Sequence, residues 1–120
     1  MKLSLVTRTL EHTSGLKLYA KPLTAADFQL WFSHLLKHKD AEASTLAKLL
    51  FQDLEAAACA QSLLTKYIHK TESFITVTDE GERPGELNDL FYGNDGLMAL
   101  YDLMGQLQSA SVLTEPEAKN

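Results

Sequence analysis

The first twenty residues alternate apolar and polar side chains in two short runs. Leu3-Ser4-Leu5-Val6-Thr7-Arg8-Thr9-Leu10 is rich in β-forming residues, and Leu16-Lys17-Leu18-Tyr19-Ala20 resumes the pattern after Thr13-Ser14-Gly15. Two such runs around a turn segment predict a β-hairpin over about residues 3–20. Two strands alone bury too little to be stable in water, so the apolar face of this hairpin has to lie on helices or pair with another chain. Pro22 ends the second strand. Thr24 is a good N-cap, and Asp27 three residues later can reach back to the helix entrance as in a capping box. The period then changes to three-and-four spacing, which predicts a helix from Ala25 to Lys39 with Phe28, Trp31, Phe32, Leu35 and Leu36 as one buried stripe and the aromatic centre of the core.

From Ala41 to about Lys70 neither glycine nor proline interrupts a run of helix formers. Leu46, Leu49, Leu50, Leu54, Ala57, Gln61, Leu64 and Ile68 share one face, widened by Leu63 and Tyr67, so the span reads as one long helix or two. Its alanine-rich middle has little side-chain volume and allows a neighbouring helix to approach closely. Phe74-Ile75-Thr76-Val77-Thr78 is β-like but short, and Asp79-Glu80-Gly81-Glu82-Arg83-Pro84-Gly85 is polar and turn-rich, which predicts a strand-like or extended connection over 71–85. A last helical pattern begins near Glu86 with Leu87, Leu90 and Phe91, and breaks at Gly93-Asn94-Asp95-Gly96. It resumes with Leu97, Leu100, Tyr101, Met104 and Leu107, capped by Asn94 or Asp95. Periodicity ends near Ala110, leaving 112–120 as a flexible tail. The fold class expected is therefore mainly α: a small helical domain over residues 1–111 with an N-terminal β-hairpin.

At 120 residues the chain has room for a single core. Sixteen acidic residues against eleven basic ones give a net charge of -5, and the lysines and arginines are dispersed, so the chain repels phosphates and no nucleic-acid partner is expected. No apolar run approaches the roughly 18 residues that a membrane helix requires, and Arg8 interrupts the place where a secretory signal would continue. The expectation is a cytoplasmic protein with no membrane partner. Cys59, the only cysteine, has no partner for an internal disulfide and sits among alanines as a small apolar side chain.

Candidate chemistry is sparse. His34 and His38 are four apart on a helix, as two zinc ligands can be, but Leu35-Leu36-Lys37 between them supplies no glutamate and no second ligand cluster has matching spacing. A solvated helix flank is the simpler reading. Asp79, Glu80, Glu82 and Glu86 suggest calcium until Arg83 and Pro84 are placed where a binding loop needs oxygen ligands. There is no G-x-S-x-G elbow, no P-loop and no G-x-G-x-x-G cradle. Neither catalytic residues, metal site nor cofactor is expected. The remaining candidate is the last helix, where Leu97, Met98, Tyr101, Met104 and Leu107 form a flexible apolar face that either fits a partner or completes the core.

A short acidic chain, an N-terminal β segment leading through Lys21-Pro22-Leu23-Thr24-Ala25-Ala26-Asp27-Phe28 into helices, and a polar end together resemble the tail assembly chaperones of long-tailed, siphovirus-type bacteriophages. The resemblance covers most of the chain as a layout. It implies a non-catalytic, mostly helical, self-associating protein of the host cytoplasm that binds the phage tape measure protein and helps tail tube protein polymerise around it. An unassembled tape measure exposes apolar helix that aggregates unless covered. The resemblance also implies a second, frameshift-extended form, and Ala118-Lys119-Asn120 is what a slippery GCA-AAA-AAC would encode. Two alternatives stand beside this one: another phage structural protein, such as a head-tail completion protein retained in the particle, or a small bacterial enzyme or regulatory subunit whose site is assembled between chains.

Overall fold

The computed structural model describes residues 2–112, so all but the first residue of the tail expected over 112–120, with Ala118-Lys119-Asn120, lies outside the described residues. The N-terminal hairpin forms from β1 (Arg8–Glu11) and β2 (Lys17–Ala20), with Leu10 opposite Leu18. Gly15, at φ 94°, occupies the left-handed conformation that its turn requires. The strands are shorter than the apolar runs that predict them, and the hairpin is not alone. A third strand, β3 (Ile68–Thr71), pairs antiparallel with the other side of β2, giving the order β1-β2-β3.

That third strand corrects the sequence reading, which carried helix through Ile68 to Lys70. An unpaired edge of β2 would leave its N–H and C=O groups without partners, and pairing with residues 68–71 satisfies them. Local helix propensity in Ile68-His69-Lys70-Thr71 is too weak to compete.

The helices are α1 (Ala25–Leu36), α2 (Ala43–Gln52), α3 (Leu54–Tyr67) and α4 (Gly93–Ala110). Thr24 caps α1 by accepting the Asp27 N–H at 3.3 Å, but the Thr24 N–H goes to the Tyr67 hydroxyl at 3.1 Å and not back to Asp27. The long run after Ala41 forms two helices. Asp53, with ψ 92°, breaks it and caps α3 by accepting the Ala56 N–H at 3.0 Å. Residues 71–85, expected to be a strand-like or extended connection, contain a second antiparallel pair, β4 (Ile75–Thr78) within the β-like run and β5 (Gly81–Pro84) in the segment read as a loop, followed by a 3-10 helix at Leu87–Phe91.

The described residues thus form an α+β domain of four α-helices and two small antiparallel sheets, not a mainly α domain with one hairpin. The error lies in 68–71 and 81–84. Each segment is too short and too polar to show period-two patterning, and each becomes a strand because another strand offers it hydrogen bonds.

Leu10, Leu18 and Ala20 from the sheet meet Ala56, Ala60 and Leu64 of α3 and Leu103, Met104 and Leu107 of α4 in one core. On α1 only Trp31 is fully buried, its Nε1 donating to Gln108 Oε1 at 3.1 Å. The expected five-residue stripe is therefore a single anchor. The sheet, α3 and α4 fill the interior, so α1 lies on a flank where Phe28 and Leu35 are half-buried and Phe32 and Leu36 face outward. Among the described residues no helix is long and apolar enough to cross a membrane.

Glycines at the start of α4 read as a break, yet the helix begins at Gly93, following Tyr92 at the cap position, and neither Asn94 nor Asp95 caps it. Gly93 has φ 69°. Gly96 is buried, and a Cβ there would overlap the backbone of Phe91. Gly105, on the exposed side of the same helix, has nothing near its missing Cβ. Gly96→Ala should therefore destabilise the domain by about 1–3 kcal/mol through overpacking, while Gly105→Ala should stabilise it by roughly 0.5–1 kcal/mol. Urea unfolding of the two variants checks the opposite signs; equal effects would sink the account of Gly96.

Candidate partner-binding surface

Three carboxylates organise the polar chemistry, and the sequence reading gave a role to only one of them, Asp27. It accepts the Lys66 ammonium at 2.8 Å and the Tyr67 hydroxyl at 2.6 Å, and these two bonds hold its carboxyl below the usual range. Asp53 accepts the Ala56 N–H, then faces His38 Nε2 at 3.0 Å and Lys37 Nζ at 3.0 Å. Those bonds, the backbone one foremost, hold its carboxyl far below the ordinary value of 3.8.

Asp89 takes both arms of the Arg83 guanidinium at 2.7 and 2.8 Å, the Glu86 N–H at 2.7 Å and the Thr76 hydroxyl at 2.8 Å. Arg83 first, then the Glu86 N–H, hold it well below the carboxylate range. Glu86 and Asp89 form a reciprocal capping box at the 3-10 helix. Their three-residue spacing was the available signal, and reading 79–86 only as an acidic loop concealed it.

The sequence candidates for metal chemistry are dispersed. His38 is tied to Asp53, while His34 sits beside Trp31 with ring centroids 6.3 Å apart and its Nδ1 buried without a hydrogen-bond partner. Among the described residues no three His, Cys, Asp or Glu side chains come together as a metal site. Asp79 and Glu80 occupy the turn between β4 and β5, and Glu82 lies on β5. Cys59 is half-buried and packs on the core, and burial pushes its thiol pKa up, which disfavours the nucleophilic thiolate.

The apolar face expected on the last helix divides. Met104 and Leu107 are fully buried, Leu97 and Tyr101 are half-buried against the core, and Met98 faces outward. Tyr101 donates its hydroxyl proton to the Leu50 carbonyl oxygen at 2.5 Å and stacks on Phe51 with centroids 6.2 Å apart, so it holds α2 in place. No residue of α2 is fully buried.

Other apolar side chains face outward that the sequence reading placed inside. Phe32 and Leu36 on α1 are 43% and 47% exposed and continue a line from half-buried Phe28, whose ring stacks on that of Phe32 at 6.5 Å. The three recur at every fourth residue and span about 12 Å of helix. Leu54, expected on the shared apolar face, is exposed as well, as is Phe51 on the other side of the Asp53 hinge, a residue the pattern assigned to no face. Amphipathic spacing carries no information about which of two apolar flanks a neighbour covers, so sequence alone did not separate these positions from the core.

No protein-family model, curated protein or solved structure matches the chain.

Asp53 is the joint of α1, α2 and α3, which makes its charge a stability determinant in acid. Its folded pKa lies below the unfolded one, so its contribution is complete above about pH 5, and is lost as pH falls through and below the ordinary value of 3.8. Asp53→Ala should cost about 1–2 kcal/mol at neutral pH from the lost cap and flatten the acid side of the stability profile. Chemical denaturation at a series of pH values measures both, and an unchanged acid limb in the variant would refute the assignment.

Proposed function

We propose that this chain is a non-catalytic tail assembly chaperone of a long-tailed bacteriophage, covering apolar helix of the tape measure protein in the host cytoplasm while tail tube protein assembles around it. The observation that supports the reading is the outward line of Phe28, Phe32 and Leu36 on α1. A line of large apolar side chains with four-residue spacing is the complement of one amphipathic helix laid alongside. Phe28 packs in part against the core but Phe32 and Leu36 do not, so these two add little to the stability of the monomer.

The test is co-production with the tape measure protein of the same genome. Wild-type chain should keep the tape measure soluble and co-elute with it, and should be absent from purified virions. Phe32→Ser with Leu36→Ser should weaken the complex by at least roughly tenfold, the scale of one or two interface anchors, while changing stability by only about 0.5 kcal/mol per site as exposed substitutions do. Stoichiometric retention of the chain in virions would instead assign it to head-tail completion, and failure to hold the tape measure would remove the chaperone reading.

A further inference from the structure

Two hollows adjoin on the surface. One lies between the tip of the β1–β2 hairpin and the first turns of α4, bounded by Tyr92, Asp95, Met98 and Asp102. The other runs along β4 at Val77. Asp89 and Tyr92 border both, so the two form one trough. Along it lie three exposed large apolar side chains: Tyr92 at 76%, Val77 at 75% and Met98 at 57%.

The charges along the trough that no ion pair compensates belong to carboxylates, with His12 the basic side chain at the first hollow. No lysine or arginine borders the first hollow. Arg83 borders the second, but its guanidinium is taken by Asp89 in a two-armed pair. Asp95 and Asp102 make no ion pair among the described residues, and Asp102 accepts only the neutral Gln106 amide at 2.9 Å. Asp79 and Glu80, exposed where β4 ends, are likewise without a cationic partner. Asp95, Met98 and Asp102 follow three-and-four spacing, so α4 offers an acid-apolar-acid stripe about 10 Å long.

We infer that this trough docks a cationic amphipathic helix of another protein, its apolar side chains against Val77, Tyr92 and Met98 and its lysines or arginines against Asp95 and Asp102. Charge selects the occupant. Copies of this chain, each with net charge -5, repel one another at an acidic surface, as do nucleic acids and anionic lipid headgroups. An apolar helix with basic flanks meets both requirements of the trough at once. The trough shares no residue with the Phe32 and Leu36 line, so this inference stands apart from the proposed tape measure contact.

The experiment is an NMR titration of the isotopically labelled full chain with three synthetic peptides: an amphipathic leucine-lysine helix, its leucine-glutamate counterpart, and a leucine-lysine peptide of the same composition with the apolar face scrambled. The first should shift the amide signals of Val77 and of Tyr92 through Asp102, and the other two should bind far more weakly. Asp95→Asn with Asp102→Asn should weaken the first peptide by roughly tenfold or more, the scale of truncated interfacial charge pairs. Tyr92→Ser with Met98→Ser should do the same, whereas Phe32→Ser with Leu36→Ser should bind as the wild type does. Equal binding of the glutamate or scrambled peptide, shifts centred on α1, or indifference to the two aspartate substitutions would each overturn the proposal.

Discussion

Ala56 and Ala60 are wholly buried on α3, and the absence of longer side chains there lets α4 approach and insert Leu103, Met104 and Leu107. The close contact of α3 and α4 is the constraint on which the other elements depend. It supplies the surface that covers Leu10 and Leu18 of the hairpin, which two strands could not shelter by themselves. It also gives Trp31 its seat, with Gln108 of α4 accepting the indole N–H, so Trp31 is the one fully buried side chain that α1 contributes. A larger residue at either alanine would move α4 outward and loosen each of these attachments together.

Peripheral elements are then fastened by carboxylates. Asp27 joins the start of α1 to the end of α3, Asp53 joins the end of α1 to the start of α3, and Asp89 joins the β4–β5 hairpin to the 3-10 helix. All three accept hydrogen bonds from charged and neutral donors together, which favours the ionised form and fixes geometry more tightly than an exposed ion pair does. Asp27 and Asp53 hold opposite ends of α1 against α3, and so set the direction in which the outer flank of α1 faces. The fasteners work at the margins of the core because the margin is where α1, α2 and the second hairpin bury too little apolar surface to be held by packing alone.

How much of this was legible follows from where the information resides. The N-terminal hairpin, the Thr24 cap and the helical character of α1, α3 and α4 were readable, because each is written within a few neighbouring residues. The division at Asp53 had a local signal, an aspartate three residues before the N–H that it caps, but the surrounding helix formers masked it. β3 had none, since residues 68–71 become a strand only through the edge that β2 presents from fifty residues away. The role of Asp89 was half-readable as a capping-box spacing, and its pairing with Arg83 became visible only once the hairpin was folded. Burial was the least legible property. Phe32, Leu36 and Met98 match Trp31 and Met104 in character and helical spacing, yet the former face solvent and the latter are core.

That last ambiguity carries the functional argument. In a domain this small most apolar side chains are needed inside, and the core formed by the sheet, α3, α4 and Trp31 leaves Phe32, Leu36, Val77, Tyr92 and Met98 outside it. These five gather in two places of different electrical character. The α1 line ends beside Lys37, whose ammonium is paired with Asp53, whereas the trough is bordered by Asp95 and Asp102, which make no ion pair among the described residues. An exposed apolar surface alone attracts any apolar surface, and aggregation follows. Flanking charge of a fixed sign adds a cost for like-charged partners and long-range attraction for opposite ones, which turns general stickiness into selection. Two surfaces that differ in this way can select two different helices, and one small rigid core is then enough to bring them together.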